Sequence, residues 1–174
     1  MFMPPSRIDQ IMTTERPPGV SNLEKWRFRI TGAVDRPVRF SREELLSLPL
    51  TTVDETIIEA VSWLPNDHVW RGVRGGTLLD KAHPRSGSRF SLVHATDGDY
   101  ACAFALGRLR EAIFAVERDG EPVSIEDGGP VRLLPGTADA DCWETIKWVS
   151  EVEVTATKPT DRDTARDLVL AESS

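Results

Sequence analysis

The segment Asp127-Gly-Gly-Pro-Val-Arg-Leu-Leu-Pro-Gly136, followed at residues 142–149 by Cys-Trp-Glu-Thr-Ile-Lys-Trp-Val, decides how this chain folds. Its first part predicts a tight turn at residues 128–130, because glycine allows sharp backbone turns and proline fixes φ. A short apolar strand that carries a single charge, Arg132, comes next and ends at a Pro-Gly pair. The second part predicts another strand, with Lys147 as the cation at its start.

Arg132 and Lys147 are candidate ligands for an anion. Guanidinium and ammonium groups bind phosphate through charge-assisted hydrogen bonds, and the loop of small residues between the two strands offers backbone N–H groups. The sequence contains no phosphate-loop or dinucleotide glycine motif. The alternative is a surface hairpin that carries two solvated cations, and the spacing of the residues leaves both interpretations open.

The composition is that of an ordinary soluble globular protein. Its 174 residues are enough for one domain with a sizeable core. No apolar run approaches the roughly 20 residues of a membrane span, and the first residues lack the apolar core of a secretory signal. The net charge of −7 argues against nucleic acid as a partner. We therefore expect a cytoplasmic protein that binds neither membranes nor nucleic acid.

The cysteines and histidines do not form a recognisable metal or disulfide pattern. Cys102 and Cys142 are too few for a disulfide framework, and in the cytoplasm both are expected to be reduced. Three histidines, His68, His83 and His94, are scattered, and none has a Cys or His neighbour at the spacing of a zinc site.

Strands are expected along most of the chain, because apolar and polar residues alternate in many short runs. Asp119-Gly120 predicts a hairpin turn between two of them. The predicted strands lie at residues 26–30, 38–40, 55–63, 89–95, 100–104, 115–117 and 148–154.

The helices expected between these strands are short. Ser41 and Glu44 have the spacing of a capping box and predict a helix start. Thr77 is placed to cap a helix at residues 78–82, and residues 106–114 have helical spacing of their apolar side chains. Irregularly placed short helices among many strands are typical of an α+β domain with a mixed, β-rich core.

We expect a single domain at residues 23–157. Residues 1–22 hold four prolines and little apolar periodicity, which predicts an extended N-terminal arm. Residues 158–174 form a charged C-terminal tail.

The order of the motifs resembles the molybdopterin-binding domain of the sulfite oxidase family, including sulfite oxidases and bacterial methionine-sulfoxide-reducing relatives. The resemblance covers residues 26–154 and implies a sulfite-oxidase-like fold with a mononuclear molybdenum–molybdopterin cofactor. It is carried, in order, by Trp70-Arg-Gly-Val73, Asp97-Gly-Asp-Tyr100, Asp119-Gly-Glu-Pro122, Gly128-Gly-Pro-Val-Arg132 and Ile146-Lys-Trp148.

This resemblance implies cofactor-binding roles around the two cations. Arg132 matches the family arginine that contacts the pterin, and Asp127 falls where some relatives have an asparagine that also touches it. Lys147 matches the lysine that binds the pterin phosphate. Thr145 and Ile146 are then expected to make backbone contacts beside it.

Two further positions have implied roles. Thr96 falls where bacterial relatives have a cofactor-contacting threonine. Tyr100 matches a tyrosine on the substrate side of the metal, which makes it the candidate catalytic residue.

The sequence departs from the family at Ala60, where the resemblance implies a cysteine thiolate that ligates molybdenum. A methyl group cannot ligate a metal, so no protein ligand is assigned. The alternatives are that the dithiolene alone holds the metal, or that another side chain replaces the cysteine: Ser62, Cys102 or Cys142.

Two functions follow as expectations. The first is oxygen-atom transfer on a small oxyanion or sulfoxide by a molybdenum-dependent oxidoreductase. Such an enzyme would use a small-molecule substrate and a separate electron-transfer protein, since the sequence has no Cys-x-x-Cys-His haem motif. The alternative, which Ala60 favours, is a non-catalytic, degenerate module that binds pterin or another anion.

Overall fold

The computed structural model describes residues 23–55, 57, 68–96, 101–136 and 146–159. The expected arm and all but the first residues of the expected tail lie outside this part of the chain. Several candidate residues also lie outside the described residues: Ala60, Ser62, Tyr100, Cys142 and Thr145.

The described residues form two five-stranded sheets. The first contains β1 (Phe28–Gly32), β2 (Val38–Phe40), β5 (Phe90–Ala95), β6 (Ala101–Ala105) and β10 (Val149–Thr155), in the order β2-β1-β10-β5-β6. Its central pair is parallel, with Arg29 of β1 opposite Glu151 of β10, and the other pairs are antiparallel. The predicted hairpin of the first two strands is confirmed.

The second sheet contains β3 (Thr51–Thr52), β4 (Trp70–Arg74), β7 (Ile113–Arg118), β8 (Glu121–Pro122) and β9 (Arg132–Leu134). Their order is β3-β4-β7-β8, with β9 paired to β7, and these pairs are antiparallel. The turn predicted at Asp119-Gly120 joins β7 to β8.

The helices are short, as expected: α1 (Arg42–Leu46), α2 (Gly75–Ala82), α3 (Leu106–Glu111) and a 3-10 turn at Ile125–Asp127. The capping box is confirmed, because the Ser41 hydroxyl accepts from the Glu44 N–H at 3.1 Å and the Glu44 carboxylate accepts from the Ser41 N–H at 3.0 Å. In the described part of the chain, no helix has the length and apolar character needed to cross a membrane.

A single main core joins the two sheets and the helices. Phe28 of β1 and Phe114 of β7 meet edge to face, with ring centroids 5.6 Å apart, and so connect one sheet to the other. Leu78 of α2 and Leu109 of α3 are fully buried in the same cluster. The expected α+β domain, mixed and rich in sheet, is confirmed.

Three local predictions were wrong. The strand predicted at residues 55–63 is wrong at residues 55 and 57, which are helical, with the Ile57 N–H donating to the Asp54 carbonyl at 3.1 Å; its other residues lie outside the described ones. Thr77 does not cap α2, which begins at Gly75, two residues before Thr77; the Gly75 N–H at the start of the helix donates to the Ala112 carbonyl at 2.8 Å.

The third error is the helix predicted at residues 106–114. It ends at Glu111, and Ile113 and Phe114 begin β7 instead. Their apolar side chains fit helical spacing and a buried strand equally well, and backbone pairing with β4 makes this segment a strand.

Candidate functional site

Two segments of the chain, residues 128–133 and 146–149, run beside each other and bring Arg132 close to Lys147. Three backbone hydrogen bonds hold them together: Trp148 N to Gly128 O at 2.8 Å, Val149 N to Val131 O at 2.9 Å, and Leu133 N to Ile146 O at 2.9 Å. From here the two strands diverge, because β9 joins the second sheet and β10 joins the first. The cations therefore lie at the junction of the two sheets.

Gly128 provides the space in which the two cationic side chains pack. Its φ is +101°, in the left-handed region that favours glycine. A Cβ at this position would lie 2.8 Å from Lys147 Cγ and 3.1 Å from Arg132 Cδ. The first Gly of the Gly-Gly-Pro motif is therefore required by the turn and by close contact with both cations.

Both cations are buried, which makes the surface-hairpin interpretation wrong. Arg132 is 7% exposed and Lys147 is 8% exposed. Arg132 donates from Nη1 to the Asp127 carbonyl at 3.1 Å, but its Nε is buried with no hydrogen-bond partner in the described part of the chain. A buried donor without a partner costs about 1–3 kcal/mol, and an acceptor supplied by a ligand would remove that cost.

Burial lowers the pKa of both cations. The pKa of Arg132 falls to about 10, mainly because burial disfavours the charged form, while Asp127 raises it and Arg118 lowers it. The pKa of Lys147 falls to about 8 through burial first and then repulsion by Arg132, again opposed by Asp127. The site is therefore positively charged and poorly hydrated at pH 7, a combination that favours an anionic ligand.

An arginine that sequence reasoning missed completes this cluster. Arg118, at the end of β7, places its Nη1 2.8 Å from Asp127 Oδ1. The Cζ atoms of Arg118 and Arg132 lie 5.9 Å and 5.5 Å from the ring centroid of Trp70, within the range of cation–π attraction. No sequence motif marks Arg118, because the contact depends on pairing between strands that are distant along the chain.

Aromatic side chains line the same region. Trp148 has a positive φ of 59°, and its indole Nε1 donates to the Ile125 carbonyl at 2.7 Å. Lys147 Nζ lies 5.8 Å from the Trp148 ring centroid. Trp70 is buried, and its indole N–H has no hydrogen-bond partner within the residues that the structure describes.

Thr96 is brought to this region, as its predicted role requires. Its N–H and its Oγ1 both donate to the Trp148 carbonyl, at 2.7 Å and 2.8 Å, one residue beyond Lys147. Ile146 is fully buried, and its carbonyl accepts from the Leu133 N–H. The structure therefore groups these residues, and their roles in binding a cofactor stay predictions.

The metal-binding half of the expected site is not defined by the described residues, among which no group of three His, Cys, Asp or Glu side chains could hold a metal ion. Cys102, a candidate replacement ligand, lies on β6 opposite Val93, and its 3% exposed side chain belongs to the main core. That placement agrees with the structural role of a buried, inert thiol.

Residues 15–162 match the sequence model of the oxidoreductase molybdopterin binding domain, and the chain belongs to this family. The family inferred from the order of motifs is thus confirmed.

Individual relatives are identical to this chain at about a quarter of the aligned positions. An uncharacterized oxidoreductase of Bacillus subtilis, YuiH, is 26% identical over 147 residues, which are 83% of this chain and 73% of that protein. A nitrate reductase [NADPH] of Fusarium oxysporum is 27% identical over 164 residues, spanning 78% of this chain but only 18% of that enzyme.

A solved structure supports the fold. The sulfane dehydrogenase SoxCD from Paracoccus pantotrophus superimposes with a TM-score of 0.63 at 19% identity, covering 83% of this chain and 42% of that chain. This chain therefore spans less than half of the SoxCD chain and a small part of the nitrate reductase.

Proposed function

We propose that this protein is a molybdenum-dependent oxidoreductase that binds the phosphate group of molybdopterin between Arg132 and Lys147. The observation that carries the proposal is the pair of adjacent, buried cations, one of which has an unpaired Nε. Holding two adjacent cations in a buried site is costly, and Arg132 Nε has no hydrogen-bond partner among the described residues, so a pocket of this kind is expected to hold an anion.

The donor set fits a phosphate ester well. Arg132 offers a planar guanidinium for bidentate binding, and Lys147 offers a compact ammonium. Thr96, Thr145 and Ile146 are further proposed cofactor contacts, and Asp127 is proposed to touch the pterin rather than the phosphate. Because phosphate oxygens accept several charge-assisted hydrogen bonds, one bound phosphate would satisfy Arg132 Nε and offset the lowered pKa values.

When bound, the cofactor would supply the redox chemistry, and the protein would bind and orient it. Arg132 and Lys147 would hold it at its phosphate end, and Tyr100 would face the substrate. The proposed reaction is oxygen-atom transfer to or from a small oxyanion or sulfoxide. Such a reaction implies a small-molecule substrate and a separate electron-transfer protein, and we propose a cytoplasmic location.

A non-catalytic pterin- or anion-binding module is the second candidate, because Ala60 replaces the thiolate that the resemblance implies. Both functions need the phosphate site, but only the first needs retained molybdenum. Bound pterin without molybdenum would favour the second.

The test is cofactor analysis of the chain purified from a host that makes molybdopterin. We expect roughly one pterin per chain, measured by fluorescence after oxidation. Arg132→Ala and Lys147→Ala should each weaken pterin binding by about 1.5–3 kcal/mol, the range for hydrogen bonds to charged groups, and so lower the pterin content.

Arg110 provides a matched control, since it is an arginine paired with an aspartate, Asp80, at 2.9 Å on the protein surface. Arg110→Ala should keep full pterin content. Unchanged pterin retention in both Arg132→Ala and Lys147→Ala would refute the assignment of the site. Absence of pterin from the native chain would refute the proposed function.

A further inference from the structure

Asp127 creates an electrostatic problem for a site that receives an anion. Its carboxylate raises the pKa of both Arg132 and Lys147, so its charge reaches both of the cations proposed to bind phosphate. A negative charge that attracts these cations also repels an anionic ligand between them. The site is expected to bind phosphate tightly only if that carboxylate is neutralised.

Arg118 is placed to neutralise it. Its Nη1 lies 2.8 Å from Asp127 Oδ1, while Ser124 donates from Oγ to Asp127 Oδ2 at 2.8 Å. Both carboxylate oxygens are therefore engaged on the protein side. The N–H of Asp127 also donates to the Ser124 carbonyl at 3.0 Å, which fixes the backbone of the turn.

The Arg118 side chain is itself held in place from two directions. Its guanidinium lies over the Trp70 ring, the same ring that Arg132 approaches, and its backbone ends strand β7. Arg118 and Asp127 are about one-third exposed or less, with 27% and 32% of their side-chain surface accessible. An ion pair in this partly buried setting is screened less by solvent than one on the open surface.

The charges of the cluster show what the pair contributes. With Arg118 present, three cations face one carboxylate, which leaves an excess of two positive charges when Lys147 is protonated. Without Arg118 the excess is one. A phosphate monoester carries about −1.5 to −2 at pH 7, so the complete cluster matches that charge and the incomplete one does not.

We propose that Arg118 is a positioning residue of the anion site, which pairs with Asp127 so that its carboxylate does not oppose a bound phosphate group. The inference rests on the proposed function and deepens it, since it gives the phosphate site a third cation that acts through Asp127 rather than on the ligand. It also predicts that the two residues are coupled in their effect on anion affinity. The affinity lost when Arg118 is replaced should be recovered when Asp127 is replaced as well.

A double-mutant cycle tests this dependence in the full chain. The probe is inorganic sulfate, titrated by calorimetry at pH 7, with pterin content after purification as a second readout. Arg118→Met should weaken sulfate binding about tenfold, because it exposes the Asp127 charge. Asp127→Asn should strengthen binding, and the Arg118→Met/Asp127→Asn double variant should return to within about threefold of the native affinity.

Arg110→Met is the matched control, because it breaks an Arg–Asp pair of similar length, 2.9 Å, elsewhere on the surface. It should leave sulfate affinity unchanged. Thermal melting of every variant separates loss of binding from loss of folding. If Arg118→Met does not fold, Arg118→Gln, with and without Asp127→Asn, replaces it in the cycle.

The outcomes are distinct. A double variant that binds as weakly as Arg118→Met would overturn the proposal, since Arg118 would then contact the anion directly. Native affinity in Arg118→Met would overturn it as well. A native chain that binds sulfate but retains no pterin would refute the proposed function while the sulfate cycle still decides the role of Arg118.

Discussion

The lowered pKa of Lys147 predicts that anion affinity falls steeply above pH 8. Only the protonated amine binds an anion well, and its pKa in the free site is about 8 because burial and Arg132 disfavour the charge. The protonated fraction is then about 0.9 at pH 7 and about 0.1 at pH 9. Affinity should therefore drop roughly tenfold across this range.

Sulfate is the appropriate probe, since it stays a dianion across the whole range and any pH dependence must come from the protein. Arg132, with its pKa of about 10, contributes only near the upper end of the titration. Calorimetric titrations at half-unit intervals from pH 6.5 to 9 should show a plateau that ends near pH 8.

The control is Lys147→Arg, because a guanidinium stays charged over this range and the decline should become much shallower. Lys147→Met should bind weakly at every pH without the inflection. A native affinity that is flat from pH 7 to 9, or a decline that persists unchanged in Lys147→Arg, would refute the assignment of Lys147 as an anion ligand.

Three further predictions concern the turn, the metal and the domain limits. Gly128→Ala should abolish sulfate binding in calorimetry, because the added Cβ would crowd both cations. The control is Gly120→Ala: Gly120 has a similar φ of +83°, but nothing lies within 4 Å of the added Cβ. This variant should lose about 1–2 kcal/mol of stability in thermal melting and keep its sulfate affinity. Ala60→Cys should raise the molybdenum content of protein from a cofactor-making host, since it restores a thiolate, and equal metal content in both proteins would count against Ala60 as the ligand position. Limited proteolysis should remove residues 1–22 and 158–174 first, and early cleavage between residues 101 and 136 would contradict a single domain at residues 23–157.

Local patterns in the sequence predicted much of the fold. The capping box at Ser41 and the hairpin turn at Asp119-Gly120 depend only on neighbouring residues, so the spacing of those residues was sufficient to predict both features. Errors arose where tertiary pairing decides between two local fits. Ile113 and Phe114 continue a helical spacing, yet they form a strand because β4 and β9 lie on either side of them.

The candidate site was predicted in part for the same reason. Arg132 was recognisable as the single charge of one apolar strand and Lys147 as the cation at the start of the next. Their burial was not, since it follows from two strands that enter different sheets. Arg118 carried no signal at all. Its contact with Asp127 requires the β7 strand and the turn before β9 to be adjacent, which only the folded chain shows.

The position of the bound phosphate is the most direct check that Arg132 and Lys147 bind it. A crystal structure of the chain purified from a cofactor-making host should show a phosphate group with oxygens about 2.7–3.1 Å from Arg132 Nε and Lys147 Nζ. A cofactor bound elsewhere, or a phosphate group that contacts neither side chain, would contradict the account.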